Sequence, residues 1–299
     1  MQLTGQRTGC DRSRAKTRGA LGRAPLVAGL AAAIVLSAFA PNAGAEDGFD
    51  AACSASAALF AAVVRDDGTV NFATLALKKK DAIAAAANFD ELDEDDYAKL
   101  PTDEKRAYWI NAYNTFVLVM IAENFPIKPK SDSRYPAGSP MTIDGAWHDR
   151  KFRTALGKVT LNRIENNILP ELGNPMTAFG LANGTRAVPT LAREPYRADT
   201  LAAQLDTSAT RFFNNPANVK LTPDGRTIEV TNWLKMLGPR LASTFAPQRD
   251  QYTRRDKFEI AVMNAILKYH TDAALRETVR KNAFDFKWIE PDWSANDVR

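Results

Sequence analysis

The sequence predicts an α+β fold: helices packed around a small sheet of short strands, in a single compact domain. Three observations carry this. Long segments place apolar residues at helical spacing, as in Leu201, Leu205, Ala209 and Phe212, and again in Phe258, Val262, Ala265, Ile266 and Tyr269. Strand-like runs are few and short, the clearest being "VKLTPDGRTIEV", a hairpin in which Pro223-Asp224-Gly225 supplies the turn. Helices surrounding a few such strands give α+β rather than a doubly wound sheet. No internal repeat or low-complexity linker divides the chain.

In chain order, residues 1–45 read as a secretory signal peptide. Arg7, Arg12, Arg14, Lys16, Arg18 and Arg23 precede an apolar run from Leu26 to Ala40, and Ala43-Gly44-Ala45 provides the small-x-small cleavage pattern. The run of about 15 residues is short of the roughly 20 that span a bilayer. Cleavage after Ala45 would leave a domain over residues 46–299, in which no second apolar stretch is long enough to cross a membrane. The protein is therefore expected in the periplasm or outside the cell. Residues 52–65 read as helix. Val70-Asn71-Phe72 opens a segment running into helix over about 74–87, and Asp90–Asp96 is an acidic turn with a short helix. The strongest helix spans 102–124. Thr102 is its expected N-cap, Asp103 and Glu104 suit the positive end of its dipole, and Phe125-Pro126 stops it.

A Pro-, Ser- and Gly-rich loop follows over 126–140. Val159-Thr160-Leu161 is a short strand, and Asn162 with Glu165 forms a capping-box-like pair before Ile168 and Leu169. Residues 176–182 are expected as an interior strand. Helix returns at about 199–213, the hairpin follows, and residues 232–282 read as mainly helical before the aromatic tail "FDFKWIEPDWS".

Charge excludes one class of partner. The chain has 39 Lys+Arg and 35 Asp+Glu, of which residues 1–45 hold 6 and 1; the remainder, 33 basic and 34 acidic, has a formal net charge of −1. Nucleic acid binding needs a concentrated basic face, so no nucleic acid partner is expected. With Cys10 in the signal, Cys53 is left without an intramolecular disulfide partner and reads as a small buried thiol. His148 reads as exposed, and His270 as a cation at a helix end. No His pair, Cys cluster or carboxylate set has ligand spacing, and no Gly-rich phosphate loop is present, so no metal and no cofactor are expected.

Two stretches carry candidate site residues. In "YWINAYNTFVL", Asn111 and Asn114 are three apart and share a helix face among apolar neighbours. Buried amides must find partners, so they either aim into a cleft or clamp a neighbouring loop. In "AFGLANGTRAVPTLAREPY", Asn183, Thr185, Arg186, Glu194 and Tyr196 are candidate ligand-binding groups. Arg186 suits a carboxylate or phosphate, or an ion pair with Glu194. Asn183-Gly184 also suits a turn with positive φ. Thr185 is the one candidate nucleophile and Glu165 the one candidate acid or base, each without an evident partner.

Those strings, with "KVTLNRIENNIL" and the final "DW", resemble the family catalogued as domain of unknown function 547 (DUF547), from about residue 99 to 215. The resemblance implies a shared α+β core and no established activity. It also marks departures. The family's usual His positions are Asn166 and Ala178 here, and its usual Cys positions are Asn183 and Val188. A thiol nucleophile with a nearby base, reasonable for such a set, is absent from this chain. The expectation is an exported protein that binds a small polar or peptide-like ligand without a conventional catalytic apparatus. Its cleft would lie between the 102–124 helix and the 183–190 loop. A hydrolase or transferase acting on envelope material and a structural scaffold are the alternatives.

Overall fold

The computed structural model describes residues 43–245, 252 and 254–298, with side chains from residue 48 onward. Residues 1–42 of the expected signal peptide and the side chains at its expected cleavage site lie outside the described residues. Residues Pro41–Arg299 form one compact unit. Among the described residues no helix is long and apolar enough to cross a membrane.

The first layer is helical: α1 (Ala43–Val63), α2 (Phe72–Leu77) and α3 (Lys79–Ala87) pack on α5 (Thr102–Asn124), which α4 (Glu94–Lys99) meets through Tyr97 against Trp109. Every α5 residue from Ala107 to Ala122 is buried, as expected for a helix apolar on all sides at the centre of a core. Its bounds match the sequence expectation, but its N-cap is Pro101 and Thr102 is its first helical residue. Pro101 holds φ −55° and ψ 153°, outside the helical range, and makes no side-chain cap bond.

The expected strand at 159–161 starts earlier. β1 (Phe152–Thr154) pairs antiparallel with β2 (Gly157–Val159), and a new helix begins at Leu161. The cap of that helix is Thr160, whose Oγ1 accepts from Arg163 N at 3.2 Å; Asn162 lies inside the first turn, and the capping-box pairing with Glu165 does not form. The helix runs as α6 (Leu161–Arg163), a π-turn (Ile164–Ile168) and α7 (Leu169–Glu171).

The expected strand over 176–182 is instead a 3-10 helix, Pro175–Gly180, followed by extended chain. Asn174 explains the change: its Oδ1 accepts from Met176 N at 3.0 Å and its carbonyl accepts from Thr177 Oγ1 at 2.7 Å, closing the backbone into turns.

The second layer holds α8 (Leu201–Phe213), the expected hairpin of β3 (Val219–Leu221) and β4 (Thr227–Thr231), then α9 (Trp233–Thr244), α10 (Lys257–Tyr269) and α11 (Ala273–Lys281). The aromatic tail supplies β5 (Asp285–Ile289), which runs parallel to β4 and completes the order β3-β4-β5. α9 is broken at Gly238, which has φ 43° and ψ −121° ahead of Pro239. Two apolar clusters result, one centred on α5 and one joining α8, α9 and α10 through Phe179, Phe212, Trp233 and Tyr269.

Candidate functional site

The two buried amides on α5 act as clamps. Asn111 Nδ2 donates to Tyr196 O at 2.8 Å while its Oδ1 accepts from Tyr196 N at 2.8 Å. Asn114 Nδ2 donates to Gly180 O at 2.9 Å and its Oδ1 accepts from Ala182 N at 2.9 Å. Each amide gives an extended loop segment the paired bonds that a neighbouring strand would otherwise supply. Asn111 Nδ2 also lies 3.6 Å from Cys53 Sγ, and burial pushes that thiol up to about 11, which keeps it protonated and unreactive at neutral pH.

The loop they hold is built on its own bonds. Asn183 Oδ1 accepts from Thr185 N at 3.0 Å and Thr185 Oγ1 at 2.7 Å, and Gly184 takes φ +80°, a conformation that favours glycine. Thr185 is buried, with its hydroxyl committed to Asn183. Among the described residues Arg186 makes no ion pair with Glu194. Its guanidinium donates to the main-chain carbonyls of Ala295 at 3.2 Å and Asp297 at 3.1 Å, and its N–H to Ser294 O at 3.0 Å. The C-terminal tail thus straps this loop, while Asn296 N donates to Gly184 O at 2.8 Å and Asn296 O accepts from Val70 N at 3.0 Å.

A small cavity of about 140 Å³ opens at the seam between the two apolar clusters. Tyr113 projects into it from α5, one turn-face away from the clamping amides, and Glu165 from the π-turn. A π-turn inserts one extra residue into the helical ladder and re-aims its side chains, a device frequent at functional sites. Tyr113 OH donates to Glu165 Oε2 at 3.1 Å and accepts from Trp147 Nε1 at 3.3 Å, which fixes the carboxyl in place. Burial pushes the Glu165 carboxyl above its ordinary range, against the lowering effects of the Tyr113 bond and the Arg240 charge. Burial first, and then the Glu165 charge, holds the Tyr113 phenol well above its ordinary value.

The other walls come from the remaining elements. Asn166 follows Glu165 on the π-turn; Thr177, Ala178, Leu181, Asn183 and Val188 come from the 3-10 helix and loop; Trp233, Met236, Leu237 and Arg240 come from α9. The break at Gly238 separates Arg240 from the preceding turn. The Arg240 guanidinium donates to Glu165 O and to Asn166 Oδ1, each at 3.3 Å. Met236, 65% exposed, stands at the rim.

Of the sequence candidates, Glu165 and Asn183 therefore meet in one cavity. Asn111 and Asn114 lie behind it as clamps, and Thr185 and Arg186 belong to the strapped loop. Glu194 and Tyr196 border a separate groove of about 460 Å³ beside α8, with the Tyr196 ring itself buried. Tyr113, Trp233 and Arg240 join the site without having been singled out for it. Pro239 after Gly238 was the available sign that α9 breaks there. His270 also differs from expectation. It is the C-cap of α10 through its own N–H to Ile266 O, its Nδ1 accepts from Asp272 N at 3.1 Å, and burial lowers its pKa, which disfavours the cation on the dipole. Among the described residues, no three His, Cys, Asp or Glu side chains are grouped to hold a metal ion.

Asn166, Ala178, Asn183 and Val188, the four positions where the resemblance implies His or Cys, all line this cavity with Glu165. The model of a family described as "Protein of unknown function, DUF547" matches residues 97–213. That segment contains α5, the π-turn and the loop, whereas the α9 wall lies beyond it. No curated protein and no solved structure matches the chain.

Proposed function

Since residues 97–213 belong to the DUF547 family, we propose that this chain uses the seam cavity to bind a small polar or peptide-like ligand, as an exported protein without thiol chemistry. The observation that carries the reading is the convergence of Glu165 with the four altered positions on one enclosed space. At those positions the chain offers amides and apolar walls. Polar groups from Glu165, Asn166, Thr177, Asn183 and Arg240 share the lining with the apolar walls, and a concave pocket in which a few placed polar groups orient the ligand is the usual form of a small-molecule site. Its volume of about 140 Å³ is close to that of a cavity of about 150 Å³ that admits benzene. The natural occupant is thus one side-chain-sized group, with the rest of the ligand passing Met236 at the rim.

The rival reading, hydrolysis or transfer, draws support from Glu165, whose raised pKa is suited to acid or base work. A side-chain nucleophile is the missing part, because the Thr185 hydroxyl is buried and given to Asn183.

Thermal-shift screening of the purified chain against N-acetylated amino-acid amides and small polar fragments tests the proposal. A ligand present at 100 times its Kd stabilises the fold by about 2.7 kcal/mol. Hits should stabilise wild type and fail to stabilise Glu165→Ala and Trp233→Ala. Equal stabilisation of all three would place the site elsewhere, and hydrolysis of a hit, lost in Glu165→Ala, would favour the enzyme.

A further inference from the structure

If the seam cavity is the ligand site, its polar groups also specify what fits. Glu165 Oε2 is taken by Tyr113, and Oε1 accepts no hydrogen bond among the described residues. An acceptor is therefore open on the cavity wall. Asn183 contributes the opposite polarity. Its Oδ1 is spent on Thr185, while Nδ2 has only Met141 Sδ at 3.8 Å, a weak acceptor. The cavity thus offers one strong acceptor and one under-used amide donor.

Charge narrows the choice. The titratable groups lining the cavity are Glu165, Arg240 and Tyr113, and the phenol is held protonated. The carboxylate and the guanidinium offset each other. A ligand carboxylate would meet Glu165 in a poorly solvated space, and a ligand ammonium would meet the Arg240 charge; both arrangements are costly there. Leu169, Leu181, Val188, Trp233 and Leu237 supply apolar walls that favour an aliphatic body behind the polar group.

We infer that the cavity recognises a neutral primary carboxamide on a short aliphatic stem, its NH2 donating to Glu165 Oε1 and its C=O accepting from Asn183 Nδ2. This inference rests on the seam cavity being the ligand site. An asparagine or glutamine side chain, or an amidated chain end, presents this chemistry.

The test is a titration of the purified, 15N-labelled chain with propionamide, propionate and propylamine in parallel, followed by NMR at the Trp233 indole and the Asn183 side-chain amide. Propionamide should shift both signals saturably, with the charged analogues at least about tenfold weaker, a difference of about 1.4 kcal/mol. Asn183→Ala should weaken propionamide, but the wild-type series decides the matter even if that variant does not fold. Stronger binding of propionate or propylamine at the same signals would overturn the carboxamide assignment and leave the cavity as the site. No saturable shift at either signal with any of the three would overturn both.

Discussion

Replacing Asn111 by leucine should be among the most damaging single changes in the chain. The side chain is fully buried, and it forms both bonds of a closed pair with Tyr196, each 2.8 Å long. Leucine keeps the same branching and number of heavy atoms with bulkier ends, and it strands the Tyr196 N–H and C=O in the core. Each stranded buried group costs about 1–3 kcal/mol, so the pair costs about 2–6 kcal/mol, beyond most single substitutions. Asn111→Asp separates the two bonds, because it keeps the acceptor for Tyr196 N–H and loses the donor to Tyr196 O. Urea unfolding followed by far-UV circular dichroism gives the midpoint and slope for each variant. A midpoint within error of wild type for Asn111→Leu, at unchanged slope, would refute the clamp, since water would then be satisfying the Tyr196 backbone. A comparable loss is expected for Asn114→Leu, which strands Gly180 O and Ala182 N.

Three further outcomes are expected. Arg186→Ala should cost about 1–3 kcal/mol of stability by removing charge-assisted bonds to the Ala295 and Asp297 carbonyls, and should leave ligand affinity nearly unchanged; a variant of wild-type stability that loses ligand would restore Arg186 as an anion anchor. Glu165→Gln should gain stability relative to wild type as pH rises. The folded carboxyl is held above its ordinary 4.5, so the stability it contributes is fully present below that pH and is lost as pH climbs through the raised value, whereas glutamine does not ionise. Urea melts at about pH 4 and about pH 8 check the sign, and a difference between the two proteins that stays constant would contradict it. Export with cleavage after Ala45 should give a mature N-terminus at Glu46 by mass spectrometry of protein from the native host, whereas an intact Met1 in the membrane fraction would defeat the signal-peptide reading.

The sequence was most informative where local chemistry punctuates the chain. Pro101 and Phe125-Pro126 bracket α5, and Pro223-Asp224-Gly225 sets the β3-β4 turn, so both elements lie where periodicity placed them. It was least informative where distant groups decide. The segment 176–182 looks like a strand from its alternation, yet Asn174 closes it into turns and Asn114 satisfies the backbone that follows, from 66 and 68 residues away. Arg186 looks like an anion anchor until its partners, 109 and 111 residues along the chain, fold back onto it. The π-turn has no sequence period of its own, and it converts Glu165 from a supposed capping residue into a cavity carboxyl. The Asn pair announced itself as buried, but the identities of its partners required the fold.

The most direct test of the central claim is a crystal structure of the purified chain soaked in a mixture of small carboxamides, alcohols, amines and carboxylates. The seam cavity is predicted to hold a fragment bonded to Glu165 Oε1, with its apolar part against Trp233 and Leu181. Fragments found only in the groove beside α8, where Glu194 and Tyr196 lie, with the seam cavity holding none, would contradict it.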